Sequence, residues 1–269
     1  MMMRAMTSTP GTEPAWHGRE PWRGIVDGLA SIGLNAVGVA SGEGVDVLPG
    51  CRSVVVFGSG GPALWDAFTQ ACSSDPTVLT AHAHPLDRFI ARTLASVDPV
   101  PDAAHRMWVR CAFDAERFVD FRPLAQEAGL GWPSRLGLLL SPAHGPWMGL
   151  RAACFTTEAL PVTGALPGAG PCGPCAAPCE QACPVSAVPA STGVRFDIQA
   201  CASHKQAGGC HGHCKARQAC PYGLESVYPP LEQAYHDDRR TGRQRLARHL
   251  RIGADGHIGE GPYWSSWVE

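Results

Sequence analysis

The chain has 269 residues, 45% of them hydrophobic and 17% charged, with a formal net charge of −2. That length supports one large domain or two modest ones, and the composition excludes a disordered or collagen-like chain. The near-neutral balance gives no general electrostatic drive toward nucleic acid, and "LGLLL" at 136–140 is strand-sized rather than membrane-spanning.

The opening stretch, "MMMRAMTSTPGTEPAWHGREP", lacks the apolar run of a secretory signal. Residues 1–20 are expected as a flexible leader and the chain as cytoplasmic, with no membrane contact. "PWRGIVDGLASIGLNAVGVA" then predicts a helix, a stop at Gly33 and a strand. A buried strand over Arg52–Phe57 follows, then the glycine loop "GSGGP" at 58–62 and a helix. The loop's spacing fits neither a dinucleotide fingerprint nor a P-loop, so it is expected as a structural turn. "HPLDRFIARTLASV" has helical periodicity and "HRMWVRCAF" that of a strand. "RPLAQEAGLGW" is a short helix closed by Gly129 and Gly131, and "RLGLLLS" and "WMGLRAACFTT" complete the strands. Helices and strands mix throughout residues 21–160, which predicts an α/β (α+β) N-terminal domain.

Composition changes at "LPVTGALPGAGP", residues 160–171, a Gly/Pro linker without periodicity. A cysteine-rich domain over 161–228 follows, and residues 229–269 form a basic tail. Within it, "DDRRTGRQRLARHLR" has the pattern of a solvated helix face or of a docking patch for an acidic partner.

Eight of the 12 cysteines lie in that central region. The first set is Cys172-x2-Cys175-x3-Cys179-x3-Cys183-Pro184. The second is Cys201, then Cys210-x3-Cys214-x5-Cys220-Pro221. In a reducing compartment such density points to metal rather than disulfides. Soft thiolates select iron–sulfur clusters, zinc or copper(I). Two sets ending in Cys-Pro match two [4Fe-4S] clusters in number, and in two-cluster ferredoxins the Cys-Pro cysteine ligates the other motif's cluster. The expected sharing is therefore Cys172, Cys175 and Cys179 with Cys220, and Cys201, Cys210 and Cys214 with Cys183. The second and third cysteines of the first set are one residue farther apart than in a bacterial ferredoxin run. His204, His211 and His213 lie among the second set and keep a zinc-binding interaction module open. Cys51, Cys72, Cys111 and Cys154 are scattered and expected as small core hydrophobes. Trp132 and Trp147 are expected as core aromatics.

Together with the paired cysteine sets, "LPGCRSVVVFG", "VDFRPLAQEAGLGW" and "HGPWMGL" occur in the order found in epoxyqueuosine reductases. The chain resembles that family over about residues 48–225, and the family is itself similar to the corrinoid reductive dehalogenases. The resemblance implies an N-terminal corrinoid-binding domain that holds cobalamin, fed by a C-terminal ferredoxin-like domain with two [4Fe-4S] clusters. It implies a small electron donor such as flavodoxin or ferredoxin, and Asp120 of "VDFRP" as the proton donor to substrate. Burial against Phe121 or the corrin face is expected to raise its pKa. The reading of Asp120 from its own neighbours is a cap for the helix that begins near Arg122. Phe121 and Arg122 replace small residues of the family motif, and the chain ends too soon after Cys220 for the helical-repeat module that grips tRNA. A tRNA partner is accordingly not the favoured one. Beside a cluster- and cobalamin-dependent reductase stands a second reading, an electron-transfer protein without a catalytic site of its own.

Overall fold

A computed structural model describes residues 21–82, 84–98, 105–110, 119–191, 194–237 and 239–253. Its centre is a four-stranded, wholly antiparallel sheet of β1 (Ala36–Ser41), β2 (Ser53–Gly60), β3 (Arg106–Arg110) and β6 (Met148–Thr156), in the order β1-β2-β6-β3. All eight residues of β2 are buried. Its side chains alternate between two cores, Val55 and Phe57 on one face, Val54 and Val56 on the other. This double burial is why "SVVVF" has no polar alternation. In β6, Ala152 and Cys154 join the first core, Ala153 and Phe155 the second.

The first face is covered by α1 (Trp22–Ala30), α2 (Ala63–Ser74), the single turn α3 (Thr77–Thr80) and α4 (Pro85–Val97). In α1, Trp22, Ile25 and Leu29 recur at helical spacing and are fully buried. Where α4 ends, Asp98 receives Arg106 Nη2 at 3.0 Å and Trp108 Nε1 at 3.0 Å, which ties the helix to edge strand β3. The second face takes α5 (Phe121–Glu127) through Phe121 and Ala125. "RLGLLLS" contributes only β5 (Leu139–Leu140), which pairs with β4 (Trp132–Pro133) in a small hairpin.

Three expectations change. First, the "GSGGP" glycines are not all turn: β2 runs through Gly60, with an irregularity at Phe57/Gly58. A Cβ on Gly60 would lie 1.9 Å from the His144 ring, so the position is a close approach rather than a phosphate cradle. Second, the Gly/Pro linker is stitched to the sheet. Leu160 N–H donates to Ser53 Oγ at 2.9 Å, and the Thr163 hydroxyl donates to the Ala128 carbonyl at 2.7 Å. Third, residues from 229 onward do not form a tail as far as they are described. The helices α9 (Pro230–Asp237) and α10 (Arg239–Leu250) pack on each other and on the first core, burying Tyr235, Leu246, Ala247 and Ile252. Leu246, Ala247 and Leu250 give α10 an apolar stripe, with Arg245 and Arg248 exposed and Arg243 buried, its Nη2 donating to the Thr80 carbonyl at 3.0 Å.

The cysteine region carries three short helices, α6 (Pro178–Ala182), α7 (Ile198–Gln206) and α8 (Lys215–Gln218), with α6 packed on α8. Its small core joins Leu136, Leu140, Val188 and Ala216 to the thiols. On the other side, Asp237 of α9 pairs with Lys205 of α7 and accepts Gly212 N–H at 2.8 Å. Among the described residues no helix is long and apolar enough to cross a membrane.

Glu232 of α9 is 3% exposed, and its Oε2 has no hydrogen-bond partner among the described residues. Burial, helped by Asp66, pushes its carboxyl up to about 8 against the opposing pull of Arg151 and Arg217. The folded state therefore holds a proton that the unfolded chain releases near the ordinary Glu value of about 4.3. Stability from this group is full below that value and is lost as pH rises toward 8. The neutral isostere Glu232→Gln should raise the melting temperature at pH 8.5, with the gain shrinking toward pH 5 when both proteins are melted across that range.

Candidate metal centre

Cys172, Cys175, Cys179 and Cys220, the first group, line one cavity. Cys220 lies within electrostatic reach of Cys179, Cys172 and Cys175. Cys201 lies within reach of Cys214, Cys183 and Cys210. A negative charge on any one of these thiols opposes charge on the next. Burial raises Cys179, Cys201 and Cys220 above the usual thiol range, and their cysteine neighbours raise them further. Such a cluster of mutually repelling groups is suited to a positively charged occupant that takes them as thiolates.

The backbone is arranged toward the same end. Ala187 N–H donates to Cys183 Sγ at 3.3 Å, and the backbone at Glu180 and Tyr222 works against the rise in the Cys179 and Cys220 thiol pKa values. Four non-glycine residues among those described have positive φ, and Ala177, Ser186 and Cys210 are three of them. Left-handed backbone away from glycine is held only where the surroundings over-determine it. Ala177, with φ 54° and ψ 50°, stands directly before Pro178 and α6. It is the middle residue of the "AAP" spacer, so the longer spacer of the first set passes through a left-handed turn before Cys179.

A small cavity lies amid the first group, lined by Cys172, Cys175, Cys179, Cys220, Ala177 and Arg135, with apolar walls from the hairpin residues Leu136 and Leu140. Tetrahedral zinc, with Zn–S near 2.3 Å, would draw its sulfurs to about 3.8 Å of one another. Among the described residues no group of three or more His, Cys, Asp or Glu side chains is closed around the position of a metal ion. His204, half-buried, packs its ring on Gly209, where a Cβ would lie 2.1 Å from Nε2. Cys72 and Cys154 are buried in the first core, with Cys72 pushed up to about 12, and Cys51 is half-buried. Cys111 lies outside the described residues.

One turn, Ser141–Trp147, fixes the first group against the sheet. Gly145, at φ +54°, passes so close to Tyr222 that a Cβ would lie 2.4 Å from its carbonyl oxygen. Gly223, at φ +69°, approaches the His144 carbonyl equally closely. The His144 ring is hydrogen-bonded to Ser226 Oγ at 2.9 Å, and burial lowers its pKa. The Arg217 guanidinium donates from Nη2 to the Pro146 carbonyl at 2.7 Å and stacks 4.4 Å above the ring of Trp147. Trp147 is thus a core aromatic. Trp132 is half-buried and donates from Nε1 to the Pro167 carbonyl at 3.1 Å. The "HGPWMGL" stretch carried this joint in the sequence, but its two contact glycines could be assigned only from the fold.

Asp120 is the N-cap of α5. Its Oδ1 accepts Arg122 N–H at 3.0 Å, and its carboxylate also takes Arg122 Nε at 3.0 Å and Nη2 at 2.8 Å. The Arg122 side chain holds the carboxyl below its usual range, outweighing partial burial. The raised pKa expected for a proton donor is therefore not found in this conformation. The reason is Arg122, which the family motif replaces by a small residue and which folds back on the acid two positions earlier. The Asp120 side chain is 37% exposed, so the ion pair itself is screened and worth little. The cap is worth more: Asp120→Ala should cost about 0.5–2 kcal/mol at pH 7. A depressed carboxyl stabilises above the unfolded pKa near 3.9 and loses that contribution as pH falls through the folded value. The wild-type advantage in denaturant titrations should accordingly narrow below about pH 4.

No family model matches the sequence. A 75-residue stretch is 43% identical to an epoxyqueuosine reductase of Synechococcus sp. (strain RCC307), covering 26% of this chain and 22% of that protein. An 83-residue stretch is 39% identical to the epoxyqueuosine reductase of Vibrio cholerae, covering 31% and 21%. The matched sequence thus spans about a fifth of the length of those relatives. Among solved structures, an epoxyqueuosine reductase from Bacillus subtilis, with its catalytic aspartate loop swung out of the active site, superposes with a TM-score of 0.53 at 14% identity, over 86% of this chain and 82% of that one. An epoxyqueuosine reductase bound to a modified tRNA-Tyr stem loop gives 0.51 at 13% identity, over 79% and 68%. A reductive dehalogenase structure described for B12-dependent dehalogenation gives 0.51 at 18% identity, over 87% and 39%. The chain has the mixed α/β fold common to epoxyqueuosine reductases and reductive dehalogenases, and its sequence resembles the epoxyqueuosine reductases.

Proposed function

We propose that the chain is an iron–sulfur reductase of the epoxyqueuosine reductase type. Cys172, Cys175, Cys179 and Cys220 would hold one [4Fe-4S] cluster, and Cys201, Cys210, Cys214 and Cys183 the other, in a ferredoxin-like module. The observation that carries this reading is that Cys220 of the second set lines one cavity with Cys172, Cys175 and Cys179 of the first, while Cys201 lies within electrostatic reach of Cys183. When bound, the clusters supply one-electron transfer, and a cobalamin-type centre supplies the reducing chemistry at substrate. The cobalamin rests on the likeness to B12-dependent relatives, and no donor set among the described residues is singled out for it. A small carrier such as flavodoxin or ferredoxin would be the electron donor. A tRNA substrate comes from the relative with a bound stem loop and stays behind a small-molecule or protein partner, because the net charge gives no general phosphate affinity.

The chain's own part in the chemistry falls to Asp120. Reduction of an epoxide or alcohol carbon needs a proton so that the oxygen can leave as water. Asp120 can deliver it only after its carboxyl leaves Arg122, because the guanidinium holds it ionised at neutral pH. The conformation seen is then the resting one, and a shift of the loop that opens α5 would bring the acid into a drier setting. The same ion pair favours the second reading, an electron-transfer protein whose acid has been quenched. Cobalamin titration separates the two: a spectral change on binding supports the reductase, and none supports the carrier.

Protein purified without oxygen should contain about eight irons and eight acid-labile sulfides. Cys183→Ala should damage the cluster of the second group and spare that of the first. Stoichiometric zinc without sulfide would remove the cluster reading altogether. With turnover established, Asp120→Asn should slow it by about a hundredfold or more while leaving both clusters in place. Arg122→Ala should let Asp120 keep its proton to higher pH, moving the pH limb assigned to that acid upward.

A further inference from the structure

Arg135 stands at the turn between β4 and β5 and walls the cavity of the first cysteine group. Its side chain is 11% exposed. Nη1 donates to the Ala190 carbonyl at 2.6 Å and lies 3.7 Å from the Glu180 carboxylate, while Nη2 reaches the Cys172 carbonyl at 3.4 Å. These contacts clamp the planar fork. Nε is fully buried and has no hydrogen-bond partner among the described residues. Arginine does not shed its charge inside proteins, so an orphaned Nε–H there keeps its full desolvation cost unless an acceptor arrives. The other lining residues supply no second cation: they are the four cysteines, apolar side chains, Ser134 and Tyr222. Ser134 is already engaged, donating to the Leu138 carbonyl at 2.8 Å.

We propose that Arg135 is a positioning residue for the cluster of Cys172, Cys175, Cys179 and Cys220, with its Nε–H donating to a sulfur of that cluster and its charge favouring the reduced form. The proposal rests on the two-cluster reading given above. In the step concerned, one electron from a small carrier protein enters the cluster. No bond is broken, no proton moves, and the cluster becomes more negative by one charge. A fixed guanidinium attracts that added charge, and hydrogen bonds to sulfur and net charge are among the factors that set cluster potentials. At the second group the cation acting on Cys201 is Lys205, which is itself paired with Asp237.

The test is a redox titration followed by electron paramagnetic resonance on the anaerobic full chain, after iron and sulfide have been counted. The first cluster's signal is identified as the one lost in Cys175→Ala. In Arg135→Gln its reduced-to-oxidised ratio, poised at the wild-type midpoint, should fall about tenfold, a downward shift of about 59 mV for one electron, with the other cluster unmoved. Arg135→Lys, which keeps the charge without the Nε–H, should shift it less. Both clusters assembled with unmoved midpoints, or both shifted equally, would overturn the proposal. Where Arg135→Gln prevents assembly, Glu180→Gln removes the carboxylate facing Arg135 and should raise the same midpoint; no change there overturns the proposal too. Wild-type protein without sulfide overturns it together with the functional reading, whereas eight irons and an unmoved midpoint overturn the role of Arg135 alone.

Discussion

Backbone meets backbone at Gly145 and Gly223 with no room for a side chain, and the placement of the cysteines depends on that contact. The turn that carries Gly145 is continuous with β6, the strand in the middle of the sheet, and Gly61 N–H bonds to its Trp147 carbonyl. Gly223 comes three residues after Cys220. A rigid strand thus sets the position of the Cys-Pro turn. His144 extends the joint by filling the space that Gly60 leaves at the end of β2 and by bonding Ser226. Larger residues at these glycines would push the Cys220 turn off the sheet and open the first group.

The rest of the cysteine region is held by polar ties rather than by a core of its own. Its buried hydrophobic set is small and is shared with the β4–β5 hairpin. α7 buries none of its residues. Asp237 anchors it from α9 through Lys205 and the Gly212 amide, and Arg217 anchors α8 through the Pro146 carbonyl and the faces of Trp147 and Tyr228. A region with so little apolar burial gains most from an internal occupant, since ligand binding to the folded form alone adds directly to stability. The thiols, amides and orphaned Arg135 Nε all face that need from the protein side.

The same economy of contacts explains the state of Asp120. Arg122 has its nearest carboxylate two residues away, and the N-cap position already directs that carboxylate toward the helix amides. Cap and ion pair reinforce each other, and both hold the acid in its charged form. A proton donor needs the opposite setting. The motif therefore contains the right residue type in an arrangement that keeps it quiet until Arg122 is displaced.

Much of this was legible in the residues. The helical spacing of Trp22, Ile25 and Leu29, the unbroken "SVVVF" run of a strand buried on both faces, and the two Cys-Pro endings follow from local periodicity and ligand chemistry, which the sequence determines by itself. Tertiary structure decided what periodicity does not encode. Gly58 and Gly60 lie in a strand whose neighbours are set from afar: His144, 84 residues beyond Gly60, fills the space where its side chain would stand, and the Gly149 carbonyl lies against Gly58. The arginine-rich α10 is an inner layer because three apolar residues find the first core, although its composition marks it as solvated. The Asp120 carboxyl is low rather than high because of where the Arg122 side chain folds. Sequence records which groups are present at each spacing; whether a charge is paired, a glycine crowded or a thiol grouped with a distant one depends on contacts between segments far apart in the chain.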